Sequence, residues 1–200
     1  MMIMKTFVPK FKLLEKRLEK KISKKGLTIT ISGLSASGKT TEAKAIAKHF
    51  NLEYHSAGEI FREIARERGI PLEKFSKTRP EKIDLLIDKK TLELAIRGNV
   101  VLDGRLTGWV AGKWAKVRVW VDCPLYIRAK RMAQREGISV SKAKRLIKER
   151  DEADREKYLE RYGVDILDKS VYNMIVKNSK WTLMEAKTKP VKVIRKLLNA

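Results

Sequence analysis

A doubly wound α/β fold, with a parallel sheet covered by helices on both faces, is what the sequence predicts. Short apolar runs rich in β-branched residues recur along the chain, helical stretches alternate with them, and the first run passes directly into a glycine-rich turn. Strands that are apolar along their length and separated by helices read as a buried parallel sheet rather than as hairpins.

Taken in order, Leu27 to Ser32 (LTITIS) is the first strand, with β-branched residues in alternation. Thr40 to Phe50 has helical spacing in Ala43, Ile46, Ala47 and Phe50, and Leu52 to His55 makes a short second strand. Asn99 to Asp103 (NVVLD), Val117 to Asp122 (VRVWVD) and Ser170 to Lys177 (SVYNMIVK) are the further strand candidates. Two charge-rich stretches stand outside the alternation: residues 57–98, helical without a strand, and residues 137–162, very polar and helix-prone. Each reads either as a helical flap over a site or as solvated helices decorated with ion pairs.

A basic preface precedes the first strand. Residues 5–25 hold nine Lys and Arg against Glu15 and Glu19. Phe11, Leu14, Leu18 and Ile22 fall three and four apart, which predicts one stripe of a helix running from after Pro9 to Gly26. Such a helix either docks its apolar stripe on the body or serves as an arm for RNA or a membrane surface.

Composition bounds the function. In 200 residues, 46 Lys and Arg against 24 Asp and Glu leave a net charge of +22, an excess that attracts phosphates, nucleic acid or anionic lipid. Hydrophobic residues at 43% supply a core for one compact domain, which excludes a disordered polyelectrolyte. One cysteine, Cys123, excludes an internal disulfide framework, and with only His49 and His55 beside it no cysteine-histidine zinc site assembles. No run reaches the eighteen or so apolar residues of a membrane span, and the start lacks the features of a signal peptide, so a cytoplasmic protein is expected.

The chemistry is carried by Gly33-Leu34-Ser35-Ala36-Ser37-Gly38-Lys39-Thr40, which fits G-x-x-x-x-G-K-[ST] between a predicted strand and a predicted helix. Glycines let backbone N–H groups turn inward around a phosphate chain, Lys39 reaches the terminal phosphates, and the Thr40 hydroxyl suits Mg²⁺. No N-K-x-D or T-K-x-D segment is evident, which disfavours a guanine-reading switch and leaves a small-molecule kinase. Ligands bind at the carboxyl ends of strands in such sheets. Ser56, Gly58 and Arg62 follow the second strand, where Gly58 permits close approach of an acceptor and Arg62 grips its phosphate. Asp103-Gly104-Arg105 ends the next strand, placing Asp103 to hold Mg²⁺ through water or to position the acceptor, and Arg105 to bind its phosphate; a plain D-G turn is the alternative. Arg150, Asp154 and Arg155 in the second polar stretch, with Arg128 and Arg131 upstream, offer cations for a closing flap. Trp109 and Trp114 suit either packing on a base or closing the core.

Together the residues resemble the nucleoside monophosphate kinases, most closely the archaeal type of cytidylate kinase. The resemblance runs from about Leu27 to the C-terminus through TITISGLSASGKTT, HSAGEIFRE, PEKIDLLIDKKTLELA, NVVLDGRLTGW, CPLYIRAKRMAQREG, IKERDEADREKYLERYGVDI and SVYNMIVKNSKWT. It implies a P-loop kinase domain at 27–200 after a basic extension at 1–26, with monophosphate-binding helices at 56–98 and a lid at 137–162. It further implies ATP on the P-loop residues Gly33 to Thr41, Mg²⁺ at Thr40 and Asp103, and Arg62 and Arg105 on the phosphate of CMP or dCMP. Lys39, Arg128, Arg131, Arg150, Asp154 and Arg155 would then surround the transferred group, and Asn178 to Trp181 would lie near adenine. Bacterial members place an aspartate after D-G-R, whereas Leu106 follows here, so Asp84 and Asp88, four apart on one helix face, are the candidates for the cytosine amino group. A lid arginine expected near position 157 is Lys157, and the basic extension lies outside the family pattern. A monomer is expected; the alternatives are an AMP or UMP kinase, or a P-loop RNA-binding or ribosome-associated protein.

Overall fold

The computed structural model describes residues 6–23 and 26–199. Five parallel strands, β1 (Thr28–Ser32), β2 (Glu53–Ser56), β3 (Val100–Asp103), β4 (Val117–Asp122) and β5 (Met174–Lys177), form one sheet in the order β2-β3-β1-β4-β5. Every residue of β1 is buried, as a central strand covered on both faces must be. Ile29, Ile31, Val101, Val119 and Val121 face one layer of helices with Ala43, Ile46 and Ile194, while Val100 and Leu102 face another with Leu92, Ile96 and Val110.

Among the described residues the helices are α1 (Lys12–Glu19), α2 (Lys39–Phe50), α3 (Ala57–Glu67), α4 (Leu72–Thr78), α5 (Glu81–Arg97), α6 (Thr107–Ala111), α7 (Leu125–Glu136), α8 (Val140–Tyr162) and α9 (Leu183–Asn199). None is long and apolar enough to cross a membrane. Their ends follow local chemistry. Ser56 and Ser139 cap α3 and α8 by accepting from the N–H groups of Glu59 (3.1 Å) and Lys142 (3.2 Å). Pro71, Pro80 and Pro124 immediately precede α4, α5 and α7. The stretch 57–98 is therefore three helices, broken at Gly69–Pro71 and Arg79–Pro80.

Two predicted boundaries are corrected. The N-terminal helix does not continue to Gly26: a 3₁₀ turn at Pro9–Phe11 leads into α1, which stops at Glu19, and the amides of Lys21 and Ile22 both close on the Leu18 carbonyl at 2.9 Å. Beyond Leu18 only Ile22 remains to be buried, so packing no longer supports the helix; Lys24 and Lys25 lie outside the described residues. The last strand begins at Met174 rather than Ser170. Asn173 instead bridges to β4, its Oδ1 accepting from Arg118 N at 2.7 Å and its Nδ2 donating to the Lys116 carbonyl at 2.9 Å.

The segment before β1 lies on the body. Val8 and Phe11 join the cluster that holds Leu92, Trp114 and Tyr162, with Leu14, Leu18 and Ile22 packed against it. Trp114 is core and Trp109 packs on the same cluster, so neither is placed to stack on a ligand base.

Ile29 sits in the middle of the central strand with no exposure. Ile29→Ala should lower the unfolding free energy by about 2–5 kcal/mol, read from urea denaturation at unchanged m-value.

Candidate active site

Pairing aligns the strand ends. Ile31 is level with Asp103, and Asp103 with Ser56, so β1, β2 and β3 terminate on one edge. In the order β2-β3-β1-β4-β5 the chain leaves β1 toward β2 and leaves the neighbouring β3 the opposite way, toward β4, and the crevice opens between these two strand ends. A cavity of about 1060 Å³ fills this crevice. Its floor is the loop after β1; its walls are α3 to α5 on one side and α7, α8 and the start of α9 on the other.

The loop is held in an unusual backbone shape. Gly33 has φ +152° and Gly38 φ +102°; a Cβ at Gly38 would come within 2.9 Å of Asn178 Nδ2. Three side chains brace the loop from behind. Arg131 donates to the Ser37 carbonyl (2.8 Å) and to the Asn178 carbonyl (2.9 Å). Asn178 Nδ2 donates to the Ser37 carbonyl (2.8 Å) and to Glu42 Oε1 (2.7 Å). Arg128 donates to the Ser35 and Cys123 carbonyls, each at 3.0 Å.

Lys39 is half-buried in the loop, its Nζ donating to the Leu34 carbonyl at 2.8 Å. Burial lowers its pKa to about 8 against the opposing pull of Asp103. Thr40 Oγ1 donates to Asp103 Oδ2 at 2.7 Å, and the Tyr54 hydroxyl donates to the same oxygen at 3.0 Å. Burial also raises Glu42 to about 7.

Arg62, Arg105 and Arg150 all line the cavity. Burial, and then the neighbouring guanidinium groups of Arg105 and Arg62, depress the proton affinity of Arg150 well below its usual value. Arg105 is also depressed, chiefly by burial. Cations crowded out of water in this way favour an anion between them.

α8 closes the wall through a stripe of polar side chains. Asp151 accepts from Ser35 N (3.1 Å) and Arg128 (2.6 Å). Asp154 pairs with Arg79 (2.7 Å) and with Arg105. Arg161 pairs with Asp84 and donates to the Arg79 carbonyl at 3.1 Å. Arg79 is 1% exposed and lies between Phe61 and Tyr158, 5.1 and 5.7 Å from their ring centres. Its Nε donates to Asp84 at 2.7 Å, while its Nη2 has no partner.

Of the residues singled out from sequence, Ser35, Ala36, Ser37, Gly38, Lys39, Thr40, Thr41, Ser56, Gly58, Arg62, Asp84, Asp88, Asp103, Gly104, Arg105, Arg131, Arg150 and Asp154 line this one cavity. Gly33 and Leu34 lie behind it, and Arg128 supports the loop without reaching it. Arg155 is not brought to the site: it points outward and forms a two-pronged pair with Asp165 at 2.6 and 2.9 Å. It lies one residue past Asp154, so the helix turns its side chain off the buried stripe. Asp84 is already engaged by Arg79 and Arg161, whereas Asp88 is held by one hydroxyl, that of Tyr162, at 2.9 Å. Sequence reasoning missed Arg79, Asp151, Tyr158 and Arg161. The last three fall with Asp154 at spacings of three and four on α8, a stripe visible in the sequence but polar, so it reads as solvated. Arg79, in a Thr-Arg-Pro break between helices, carries no local signal.

A family model described as an AAA domain matches residues 29–160. The chain is 48% identical over 159 residues to a cytidylate kinase of Pyrococcus horikoshii, covering 78% of this chain and 82% of that one. It is 47% identical over 158 residues to a cytidylate kinase of Thermococcus kodakarensis (78% and 81% covered) and 41% identical over 160 residues to one of Methanocaldococcus jannaschii (78% and 90%). Among solved structures, a gluconokinase from Sinorhizobium meliloti superposes with a TM-score of 0.57 at 18% identity, covering 88% of this chain and 98% of that one. A shikimate kinase from Acinetobacter baumannii gives 0.55 at 17%, covering 91% and 97%. At such identities the structural likeness is one of fold.

Burial, and then the neighbouring Asp84, raise Asp88 from 3.8 to about 8. The folded state therefore holds a proton that the unfolded chain releases above about pH 4, and this stability is lost as the pH rises to about 8. Asp88→Asn should gain on the parent protein steadily across that interval and level off above it, as read from urea denaturation at a series of pH values. A difference that does not change with pH would refute the assignment.

Proposed function

The chain belongs to the cytidylate kinase family, and from that premise we propose that it transfers the γ-phosphoryl group of ATP to CMP or dCMP, giving ADP and CDP or dCDP for pyrimidine nucleotide metabolism. The observation that carries the assignment of ends is the placement of three arginines, the exposed Arg62 and the partly buried Arg105 and Arg150, in the same cavity as the phosphate-binding loop. ATP lies with its phosphates on Ser35 to Thr41, its adenine toward Asn178 and Trp181, and the acceptor phosphate lies among the arginines.

Phosphoryl transfer asks the protein for position and for positive charge around the transferred oxygens. The amides after Gly33 and the Lys39 ammonium serve the donor side, and Arg105 and Arg150 serve the space between donor and acceptor. No general base is needed, since the attacking phosphate oxygen is already ionised. Asp151 and Arg128 keep α8 against the loop, which excludes water from the transfer.

Mg²⁺ fits the residues present. Thr40 Oγ1 and Asp103 Oδ2 are hard oxygen donors 2.7 Å apart, and the described residues gather no cluster of three or more His, Cys, Asp or Glu that would suit another metal. An ion that keeps its waters and shares phosphate oxygens needs only one or two such groups. Held by Thr40 directly and Asp103 through water, it would neutralise charge on the phosphate chain.

Cytosine presents an amino donor beside two acceptors, N3 and O2. Asp88 offers a carbonyl oxygen to the amino group in either protonation state, and the unpartnered Nη2 of Arg79 offers a donor to the neighbouring acceptors. Asp84, saturated by Arg79 and Arg161, orients that guanidinium instead of reading the base.

ADP release with Mg²⁺ and ATP should be at least about tenfold faster in kcat/KM for CMP or dCMP than for UMP, AMP or GMP, a gap of about 1.4 kcal/mol in transition-state binding. Lys39→Ala should abolish turnover, and Arg62→Ala should raise the KM for CMP more than that for ATP. Equal rates with all five monophosphates would refute the cytosine assignment, and absence of turnover with any would refute the kinase reading.

A further inference from the structure

The basic segment ahead of β1 is fastened directly behind the acceptor wall. Glu15, 5% exposed, accepts from Thr6 N at 2.8 Å and from Trp114 Nε1 at 2.6 Å, which fixes the turn that carries Val8 and Phe11 into the core. Lys10 pairs with Glu81, the first residue of α5. The Phe11 ring lies 5.4 Å from that of Tyr162, and Lys10 Nζ stands 5.9 Å from the same ring.

Tyr162 is the last residue of α8, followed by Gly163 at φ +66°. Beyond it no further helical turn continues to hold its side chain. Its ring is held instead between two others: Tyr158, stacked at 6.0 Å with planes 17° apart, and Phe11. In that position the Tyr162 hydroxyl donates to Asp88 Oδ2 at 2.9 Å. Tyr158 and Asp88 line the cavity; Phe11 and Tyr162 do not. A continuous run of contacts thus leads from the N-terminal segment, through one phenol, to the carboxyl group on the cavity wall.

We propose that the N-terminal segment is a working part of the acceptor site: Phe11 holds Tyr162 so that its hydroxyl fixes one oxygen of Asp88 and turns the other toward the acceptor base. Phe11 and Tyr162 are positioning residues, acting through Asp88. The proposal rests on the reading above that the acceptor nucleotide occupies the α3 to α5 side of the cavity. It also separates two properties of the segment. Its charged face contributes net charge, while its apolar face sets the affinity for the acceptor.

The test uses the full chain and measures KM for CMP and for ATP, kcat and melting temperature for the parent, Tyr162→Phe, Phe11→Leu and the double variant. Tyr162→Phe keeps the ring and should fold as the parent does. It should raise the KM for CMP about fivefold, the size of one net hydrogen bond, with kcat and the KM for ATP within about twofold. Phe11→Leu should raise the KM for CMP in the parent but not in the Tyr162→Phe background, because its effect passes through the lost hydroxyl. An unchanged KM for CMP in Tyr162→Phe, a parallel rise in both KM values with a fall in melting temperature, or strictly additive effects of the two substitutions would each overturn the proposal. A parent protein that turns over ATP without preferring CMP or dCMP would overturn the acceptor reading instead, and the proposal with it.

Discussion

Pairing of β1 between β3 and β4 brings Ile31 level with Asp103 and Asp103 level with Ser56, so that three strands end together and point their next residues into one crevice. The loop Gly33 to Thr40, the Asp103-Gly104-Arg105 turn and the capped start of α3 are neighbours only for this reason. A one-residue slip of β3 would exchange its two faces, burying what now faces the cavity. β1 buries Ile29 and Ile31 on one face and Thr28, Thr30 and Ser32 on the other, and because a slip would exchange these two chemically different faces the register is stringent. The contact of Thr40 with Asp103, across 63 residues of chain, follows from that register.

Above this edge lies a lattice of buried ions. Asp151, Asp154 and Arg161 of α8 meet Arg128, Arg105, Arg79 and Asp84, every one of these side chains 14% exposed or less. Buried pairs of this kind add little net stability, because desolvation offsets much of the attraction, but removing one partner is costly. Their value here is geometric: each bond spans two segments, so α8 is referenced to the loop at one point and to Arg79 and α5 at another. Two places in the lattice stay unneutralised: Nη2 of Arg79, which has no partner, and the cations Arg62, Arg105 and Arg150, which lie near one another.

The basic segment at the front of the chain shows how charge and packing separate. Lys10, Lys12, Lys16, Lys20 and Lys21 stand outward, and the same residues that make it look like an arm for RNA alternate with Phe11, Leu14, Leu18 and Ile22, which rest on the core. Glu15, one of only two acids in that stretch, is the buried one, and its partners are the Thr6 amide and the Trp114 indole rather than a lysine.

By itself the sequence determined the strand and helix alternation, the phosphate loop, and the glycine, hydroxyl and charged residues at the strand ends that line the cavity, because those features are local: a strand has its period, a glycine loop its spacing, a cap its serine. The family resemblance, carried by motifs in order along the chain, belongs to the same level. Only the tertiary structure decided which charges work together. Arg155 and Asp154 are adjacent in sequence, yet one faces water with Asp165 and the other meets Arg79 and Arg105 inside. Arg79 had no signature at all, and Asp151, Tyr158 and Arg161 formed a polar stripe indistinguishable from a solvated face. Whether a charged side chain is solvated or buried depends on what the rest of the chain brings against it, and periodicity in a single segment does not contain that partner.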